Sequence, residues 1–145
     1  MHKDFYASGF LYHSRTQRIL LQQKNTAGRT PEWCLLGDSG HNNEKAEEAF
    51  VRIIEKILHV NLKPSNIKSI YTYFHDTLGK DNFVSYAKVT KMQKFPPKNG
   101  NVFGWFSFKE VVKLKLSAQT KQDITVGQRV IDASIRKRLG QRTIE

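Results

Sequence analysis

One segment with a helical repeat, bracketed by strand-like segments, most restricts what this chain can fold into. Between Glu44 and Val60 the apolar side chains recur at intervals of three and four residues, which predicts an amphipathic helix. Before it, residues 5–13 and 18–24 are rich in β-branched, aromatic and apolar residues and are joined by four polar residues, which is typical of a β-hairpin. The chain is therefore predicted to combine helices with a sheet, in an α/β (α+β) fold.

The rest of the chain continues this alternation of strands and helices. The remaining predicted elements are a strand at 33–36, a loop at 37–43, a strand pair at 67–75 and 83–89, a strand at 102–108 and a helix beyond 117. The apolar side of the last helix is expected to carry Ile124, Val130, Ile131, Ile135 and Leu139. We predict a mixed, mainly antiparallel sheet that lies between two amphipathic helices.

Length and composition limit the classes of protein to be considered. A chain of 145 residues suits one core, so residues 1–145 are predicted to form a single domain. No apolar run approaches the roughly 20 residues of a membrane span, and the N-terminus lacks the order of a signal peptide. We therefore expect a cytoplasmic protein without a membrane partner. The single cysteine, Cys34, cannot form an internal disulfide and is interpreted as a small apolar strand residue.

The charge balance permits several kinds of anionic partner. The formal net charge is +11 and the pI is about 9.9, so nucleic acid, nucleotides and acidic proteins are all compatible with the chain. No acidic residue lies between Asp81 and Glu110, where five lysines occur. The other basic residues are scattered, so a solvated basic surface is favoured over a dedicated nucleic-acid site.

Local sequences and the order of elements resemble those of Nudix (MutT-like) hydrolases. GFLYHSRTQRILLQQ resembles their first hairpin, WCLLGDSG the strand and loop before their signature, and WFSFKEV with the later LKLS the segment that leads to their last helix. The similarity covers about residues 5–139. It implies a Nudix-like α/β/α sandwich with a mixed, mainly antiparallel sheet.

The signature of that family, G-x5-E-x7-R-E-U-x-E-E-x-G-U with U a bulky aliphatic residue, is only partly present. With its first Glu on Glu44, its Arg falls on Arg52 and its aliphatic positions on Ile54 and Val60. The five remaining positions differ and carry Asp38, Ile53, Lys56, Ile57 and His59. The resemblance is therefore to a Nudix domain with a degenerate signature.

The missing glutamates bear directly on catalysis. Nudix enzymes use them to hold divalent cations, usually magnesium, against a diphosphate, and such hard cations need oxygen ligands. We expect no metal site and no cofactor here, with magnesium required only if the chain is still a hydrolase. The retained signature residues, Glu44 and Arg52, are expected to join loop to helix by a charge-assisted hydrogen bond. Glu48 and Glu55 are spaced to form surface ion pairs with Arg52.

The first functional hypothesis is a domain that binds a nucleotide or another phosphate-bearing ligand in the family's cleft. Lys24, Arg29 and Lys56 would supply positive charge, and Tyr73 would stack on a base. Phe74 and Trp105 are alternative stacking residues, although a core position is favoured for both.

Two other hypotheses remain open at this stage. One is an active nucleoside-diphosphate-type pyrophosphohydrolase with relocated metal ligands, for instance Asp38, Glu44 and Glu48. The other is a basic protein- or RNA-interaction module, in which an apolar patch in place of the metal site would serve as a homodimer contact. His41 as a phosphate contact is a weaker candidate, because loop histidines are usually exposed. His75 with Asp76 as an acid/base pair is also weaker, because no partner for the pair is identified.

Overall fold

The computed structural model describes residues 4–24, Gly28 and residues 30–144, with side chains up to residue 140. The strands are β1 (Phe5–His13), β2 (Arg18–Gln23), β3 (Trp33–Cys34), β4 (Leu36–Ser39), β5 (Ile67–His75), β6 (Lys80–Val89) and β7 (Val102–Ser107). The helices are α1 (Ala46–Leu58), α2 (Phe108–Val111) and α3 (Ala118–Ile144), and a 3-10 turn covers Pro64–Asn66.

Within the described residues, seven strands form one mixed sheet. Its main path has the order β3-β2-β1-β6-β5, while β4 also pairs with β1 and β7 with β2. Strand β1 runs parallel to β6, and the other five described pairings are antiparallel. The predicted mixed, mainly antiparallel sheet is therefore confirmed.

Helices cover both faces of this sheet because successive side chains of a strand point to opposite faces. On β1, Phe10 and Tyr12 belong to the cluster that contains Ile131 of α3. The intervening Leu11 belongs to the cluster that contains Phe50 of α1. The structure is thus an α/β/α sandwich, as the resemblance to Nudix proteins implied.

Helix α1 has defined signals at both ends. Lys45 occupies the N-cap position, and the Glu48 carboxylate accepts a 2.8 Å hydrogen bond from the Lys45 backbone N–H. His59 ends the helix with a left-handed φ of 58°, and its N–H donates to the Glu55 carbonyl. The helix begins two residues after Glu44 because the Glu44 side chain closes the preceding turn by accepting the His41 N–H at 2.8 Å.

The predicted loop at 37–43 is partly wrong, because its first residues form strand β4. Gly37 lies opposite Ser8 of β1, and Asp38 lies opposite Ala7. A Cβ added to Gly37 would lie 2.8 Å from both Tyr6 Cε1 and Ser8 Cβ, so only glycine permits this close pairing. A glycine that suggested a loop in the sequence therefore serves strand packing.

Helix α3 is packed on the sheet over only part of its length. Ile124 and Ile131 are buried, whereas Leu139 is 55% exposed, so the expectation that Leu139 faces the core is wrong. The 27 residues of α3 make it about 40 Å long, and not every turn of such a helix is buried on the sheet. In the described ranges, no helix combines the length and the apolar character that a membrane span needs.

Candidate functional site

An open cavity of about 180 Å³ lies beside the last turn of α1. We call it the lysine cleft, because Lys24, Lys56 and Lys98 line it. Other lining residues are Gly37, Ile57, Asn101 and Phe103. None of the lining residues that the structure describes is acidic, so the cleft has a positive potential.

Two lysines of the cleft have contacts of different strength. Lys56 Nζ lies 3.7 Å from Asp38 Oδ2, and the two side chains are 67% and 49% exposed. An ion pair this exposed contributes roughly 0–1 kcal/mol, so its lysine can turn to another anion. Lys98 Nζ donates a 2.8 Å hydrogen bond to the Lys56 carbonyl, which attaches its loop to the end of α1.

The helix face beside the cleft is apolar. Ile53 is fully buried against Ala7 and Ala49, and Ile57 packs on this group while also lining the cleft. Neither isoleucine offers an oxygen ligand to a cation. In the part of the chain that the structure describes, no three His, Cys, Asp or Glu side chains are grouped so that they could hold a metal ion.

The residues considered as relocated metal ligands are already engaged elsewhere. Asp38 Oδ1 accepts the Ser39 N–H at 2.7 Å, and Asp38 Oδ2 faces Lys56. Glu48 accepts the Lys45 N–H, and Glu44 binds Arg52. Each carboxylate therefore has a local structural contact and does not join a common group.

Glu44 and Arg52 form the best-defined polar contact near the cleft. Arg52 Nε donates to Glu44 Oε2 at 2.8 Å, and Arg52 Nη2 donates to Glu44 Oε1 at 3.1 Å. The same Nη2 donates to the Ser39 carbonyl at 2.9 Å. The expected ion pairs of Arg52 with Glu48 and Glu55 are therefore wrong, because its guanidinium points to the loop and to β4. The hydrogen bond from Arg52 lowers the pKa of Glu44.

The substitution Glu44→Gln is expected to lower the free energy of unfolding at neutral pH by about 1–3 kcal/mol, since it weakens hydrogen bonds to a charged group. Because the pKa of Glu44 is lowered by folding, the stabilisation is present above the unfolded value of about 4.3 and is lost as the pH falls through the folded pKa. Urea unfolding between pH 3 and pH 7 measures this. The difference from the wild type should shrink in acid.

Glu55→Gln, an exposed change on the same helix, is the matched control and should alter stability by less than about 0.5 kcal/mol at every pH. Equal effects of the two substitutions would contradict a specific role of the Glu44–Arg52 contact.

A second open cavity, of about 200 Å³, lies at the start of α3. We call it the Asp123 cavity. Tyr71 Oη donates to Asp123 Oδ1 at 2.6 Å, and Tyr73 Oη donates to Asp123 Oδ2 at 3.3 Å. Gln119 Nε2 also donates to Asp123 Oδ1, at 3.0 Å.

Burial raises the pKa of Asp123, while the hydrogen bond from Tyr71 acts in the opposite direction. Burial also raises the pKa of Tyr73 to about 12, so its phenol stays neutral.

The structure separates the predicted ligand-binding residues into these two cavities. Lys56 lines the lysine cleft, Tyr73 lines the Asp123 cavity, and Lys24 lines both. Arg29 lies outside the described residues. Lys98 and Asp123 were missed by sequence reasoning. The signal for Asp123 was a carboxylate next to Ile124 on the apolar side of the predicted helix.

The alternative stacking residues have different positions. Phe74 is 59% exposed, so the favoured core position is wrong for it; it lies near the end of β5, which is an edge strand of the sheet. Trp105 packs against the cluster under α1, and its Nε1 donates to the Gln93 carbonyl at 2.8 Å. Trp105 is therefore structural.

The structure also shows the surroundings of His41, His75 and Cys34. His41 is exposed, and His75 Nδ1 accepts the Leu78 N–H at 3.2 Å. Burial raises the pKa of the Cys34 thiol, which disfavours a thiolate nucleophile. None of these three has the environment of an activated catalytic group.

Comparison with known proteins gives structural matches but no sequence match. No family model and no curated protein matches this sequence. A MutT/nudix family protein from Enterococcus faecalis superposes with a TM-score of 0.58 and 17% identity, over 73% of this chain and 44% of that one. This chain therefore spans less than half the length of that protein.

Two other solved structures match over most of both chains. The NUDIX domain of NrtR from Shewanella oneidensis, solved with ADP ribose, gives a TM-score of 0.66 and 18% identity over 88% of this chain and 86% of that one. The C-terminal domain of mouse MUTYH, solved in complex with human PCNA, gives a TM-score of 0.66 and 12% identity over 90% and 91%. At these identities the similarity is one of fold.

Proposed function

We propose that this chain, which has the Nudix fold, binds a nucleotide or another phosphate-bearing ligand without the magnesium-dependent hydrolysis of Nudix enzymes. One observation carries the proposal. Three lysines surround the cleft beside α1, at the part of the helix where the Nudix signature has metal-binding glutamates and this chain has Lys56 and Ile57. Positive charge therefore lies where the family's glutamates would hold a cation.

Direct contact with lysine replaces what a metal ion would supply. In a metal-dependent site the cation neutralises the phosphate oxygens. Ammonium groups neutralise them without a bridging ion, through charge-assisted hydrogen bonds. Lys56 is available for this because its ion pair with Asp38 is long and exposed.

The volume of the cleft limits which part of the ligand it holds. Pockets for drug-sized molecules measure about 300–1,000 Å³, and the lysine cleft measures about 180 Å³. It therefore suits the phosphate groups alone. Lys24 also lines the Asp123 cavity, where Gln119 and Asp123 offer hydrogen-bonding groups to the uncharged part of a nucleotide. The ADP ribose bound to the NUDIX domain of NrtR supports a ligand of this class.

The test is a calorimetric titration with ADP ribose and with ADP at low salt, in EDTA and again in magnesium. We expect the same dissociation constant in both buffers. The affinity should fall steeply as salt rises, since exposed charges are screened over about 8–10 Å at ordinary ionic strength. Lys24→Ala, Lys56→Ala and Lys98→Ala should each weaken binding about five- to tenfold, which corresponds to about 1–1.4 kcal/mol per contact.

Lys137→Ala, an exposed lysine on α3 that lines none of these cavities, removes the same charge and should leave the affinity within about twofold. Undetectable nucleotide binding at low salt, or equal effects of all four substitutions, would overturn the proposal.

Two results would favour the other two hypotheses about function. Release of phosphate from nucleoside diphosphate compounds in magnesium or manganese, abolished by Glu44→Gln, would indicate a pyrophosphohydrolase. Salt-sensitive RNA binding without nucleotide binding would indicate an interaction module.

A further inference from the structure

Another open cavity, of about 200 Å³, lies under the second half of α3. We call it the tyrosine cavity, because Tyr12 of β1 and Tyr86 of β6 line it. Ser134 and Arg138 of α3 line the opposite wall, and Ser14 and Lys88 lie at its edge. It lies on the α3 face of the sheet, whereas the lysine cleft lies on the α1 face.

Strand register places the polar side chains of the sheet wall together. Tyr12 is paired with Lys88 in the parallel β1/β6 ladder, and Tyr86 lies two residues before Lys88 on the same face. The rings of Tyr12 and Tyr86 pack edge to face with centroids 6.1 Å apart.

The two tyrosine hydroxyls of the cavity are free to bond to a ligand. Tyr12 is 2% exposed and Tyr86 is 3% exposed, yet neither hydroxyl has a hydrogen-bond partner among the described residues. No described side-chain polar atom is both buried and without a partner, so the remaining exposure of these tyrosines includes their hydroxyls. The accessible space that they meet is the tyrosine cavity.

Packing alone does not require these hydroxyls. Phe10 stacks on Tyr86 with a centroid distance of 6.1 Å, on the same face of the sheet, without any polar group. A phenylalanine at position 12 or 86 would keep the ring contacts. The hydroxyls therefore add hydrogen-bonding capacity to the cavity.

The other polar groups of the cavity are donors as well. Ser14 and Ser134 carry hydroxyls, Lys88 and Arg138 carry positive charge, and no described lining residue is acidic. Burial raises the pKa of Tyr86, and the positive charge of Arg138 acts in the opposite direction. Asp132, which also acts on Tyr12, is exposed and does not line the cavity.

We propose that the tyrosine cavity is a second anion site, separate from the lysine cleft, which holds a phosphate group either as free phosphate or as a small phosphate ester. Phosphate oxygens are acceptors, and the polar groups of this lining are four hydroxyls, the Gln17 amide and the cations of Lys88 and Arg138, all of which can donate hydrogen bonds. Its volume is below the roughly 300–1,000 Å³ of pockets for drug-sized molecules, which excludes a whole nucleotide.

The test uses inorganic phosphate, glycerol 3-phosphate and AMP, titrated at low salt into the Lys56→Ala, Lys98→Ala double variant so that the lysine cleft contributes little. Binding is followed by calorimetry and by the NMR signals of the Tyr12 and Tyr86 rings. We expect phosphate or glycerol phosphate to shift both ring signals. Whichever of the two binds more tightly identifies the source of the phosphate group.

Variants of the cavity should weaken this binding while the fold is retained. Arg138→Gln should weaken it about tenfold, and Tyr12→Phe or Tyr86→Phe about fivefold each. Lys137→Gln removes the same charge one residue away and should change it less than twofold, and Asp132→Asn should strengthen it. Folding is checked by the thermal midpoint, which the phenylalanine variants should keep.

Several outcomes would overturn the proposal. These are no binding of either small phosphate, ring signals that do not move on saturation, equal effects of Lys137→Gln and Arg138→Gln, or AMP binding as tightly as phosphate. A negative result here would not affect the proposal for the lysine cleft. Nucleotide binding to that cleft is measured in a separate titration of protein whose tyrosine cavity is wild-type.

Discussion

Replacing Ile53 by glutamate is expected to lower the free energy of unfolding by about 4 kcal/mol or more. Ile53 is completely buried between Ala7 and Ala49, and the cluster contains no cation to pair with a carboxylate. The substitution loses about 1.5–3 kcal/mol of apolar burial and also places an ionisable group in an apolar environment. Urea unfolding monitored by circular dichroism measures the loss.

Lys56→Glu is the matched control, because it introduces the same side chain one turn later. Lys56 is 67% exposed, so this change should cost less than about 1 kcal/mol, mostly through repulsion from Asp38. The triple variant Ile53→Glu, Lys56→Glu, Ile57→Glu, which places glutamates at the positions of the Nudix signature, should therefore fail to fold well because of position 53. A stable triple variant with a tight magnesium site would contradict this account of the helix face.

Gly9→Ala is expected to destabilise the protein by about 3 kcal/mol or more, the upper range for overpacking. Gly9 lies in β1, where a Cβ would overlap the Ser85 carbonyl of β6 and approach the Phe50 ring of α1 to 2.9 Å. The β6 backbone cannot move away without breaking the parallel β1/β6 pairing. The variant should therefore show a lower thermal midpoint and reduced soluble yield.

Gly140→Ala makes the same chemical change in a setting without this constraint. No heavy atom of the described side chains lies within 4 Å of a Cβ built at Gly140, and the residue is helical. Alanine should stabilise α3 there by up to about 1 kcal/mol. If Gly9→Ala were as harmless as Gly140→Ala, the close approach of β1 to β6 would be wrong.

The strand and helix positions could be predicted to a large extent from local patterns. Strands β1 and β5 were predicted with their observed bounds, because both are rich in β-branched, aromatic and apolar residues and polar turn residues follow each of them. Helix α1 was predicted because its buried residues recur at helical spacing. In each case the pattern and its cause lie within the segment itself.

Errors arose where burial depends on distant parts of the chain. Leu139 fits the helical repeat of α3 but is exposed, and Phe74 fits a strand but lies near the end of an edge strand. Gly37 suggested a loop, although its missing side chain lets β4 pair with β1. Repeat patterns describe one segment and do not report which neighbour covers it.

The candidate site shows the same division. Lys56 was identified because it occupies a signature position in the helix, and Lys24 because it lies beside the loop that precedes β3. Lys98 could not be identified in this way, since it reaches the Lys56 carbonyl from 42 positions further along the chain. Its place in the cleft follows from how its loop packs on the end of α1.

The sequence by itself determined that Ile53, Lys56 and Ile57 offer no oxygen ligand to a cation, because side-chain chemistry is independent of folding. Only the tertiary structure decided which donors converge on a cavity. Tyr12, Tyr86 and Arg138 come from two strands and a helix, and they meet because β1 pairs with β6 and α3 crosses both. Such convergence depends on long-range packing, which no local spacing of residues encodes.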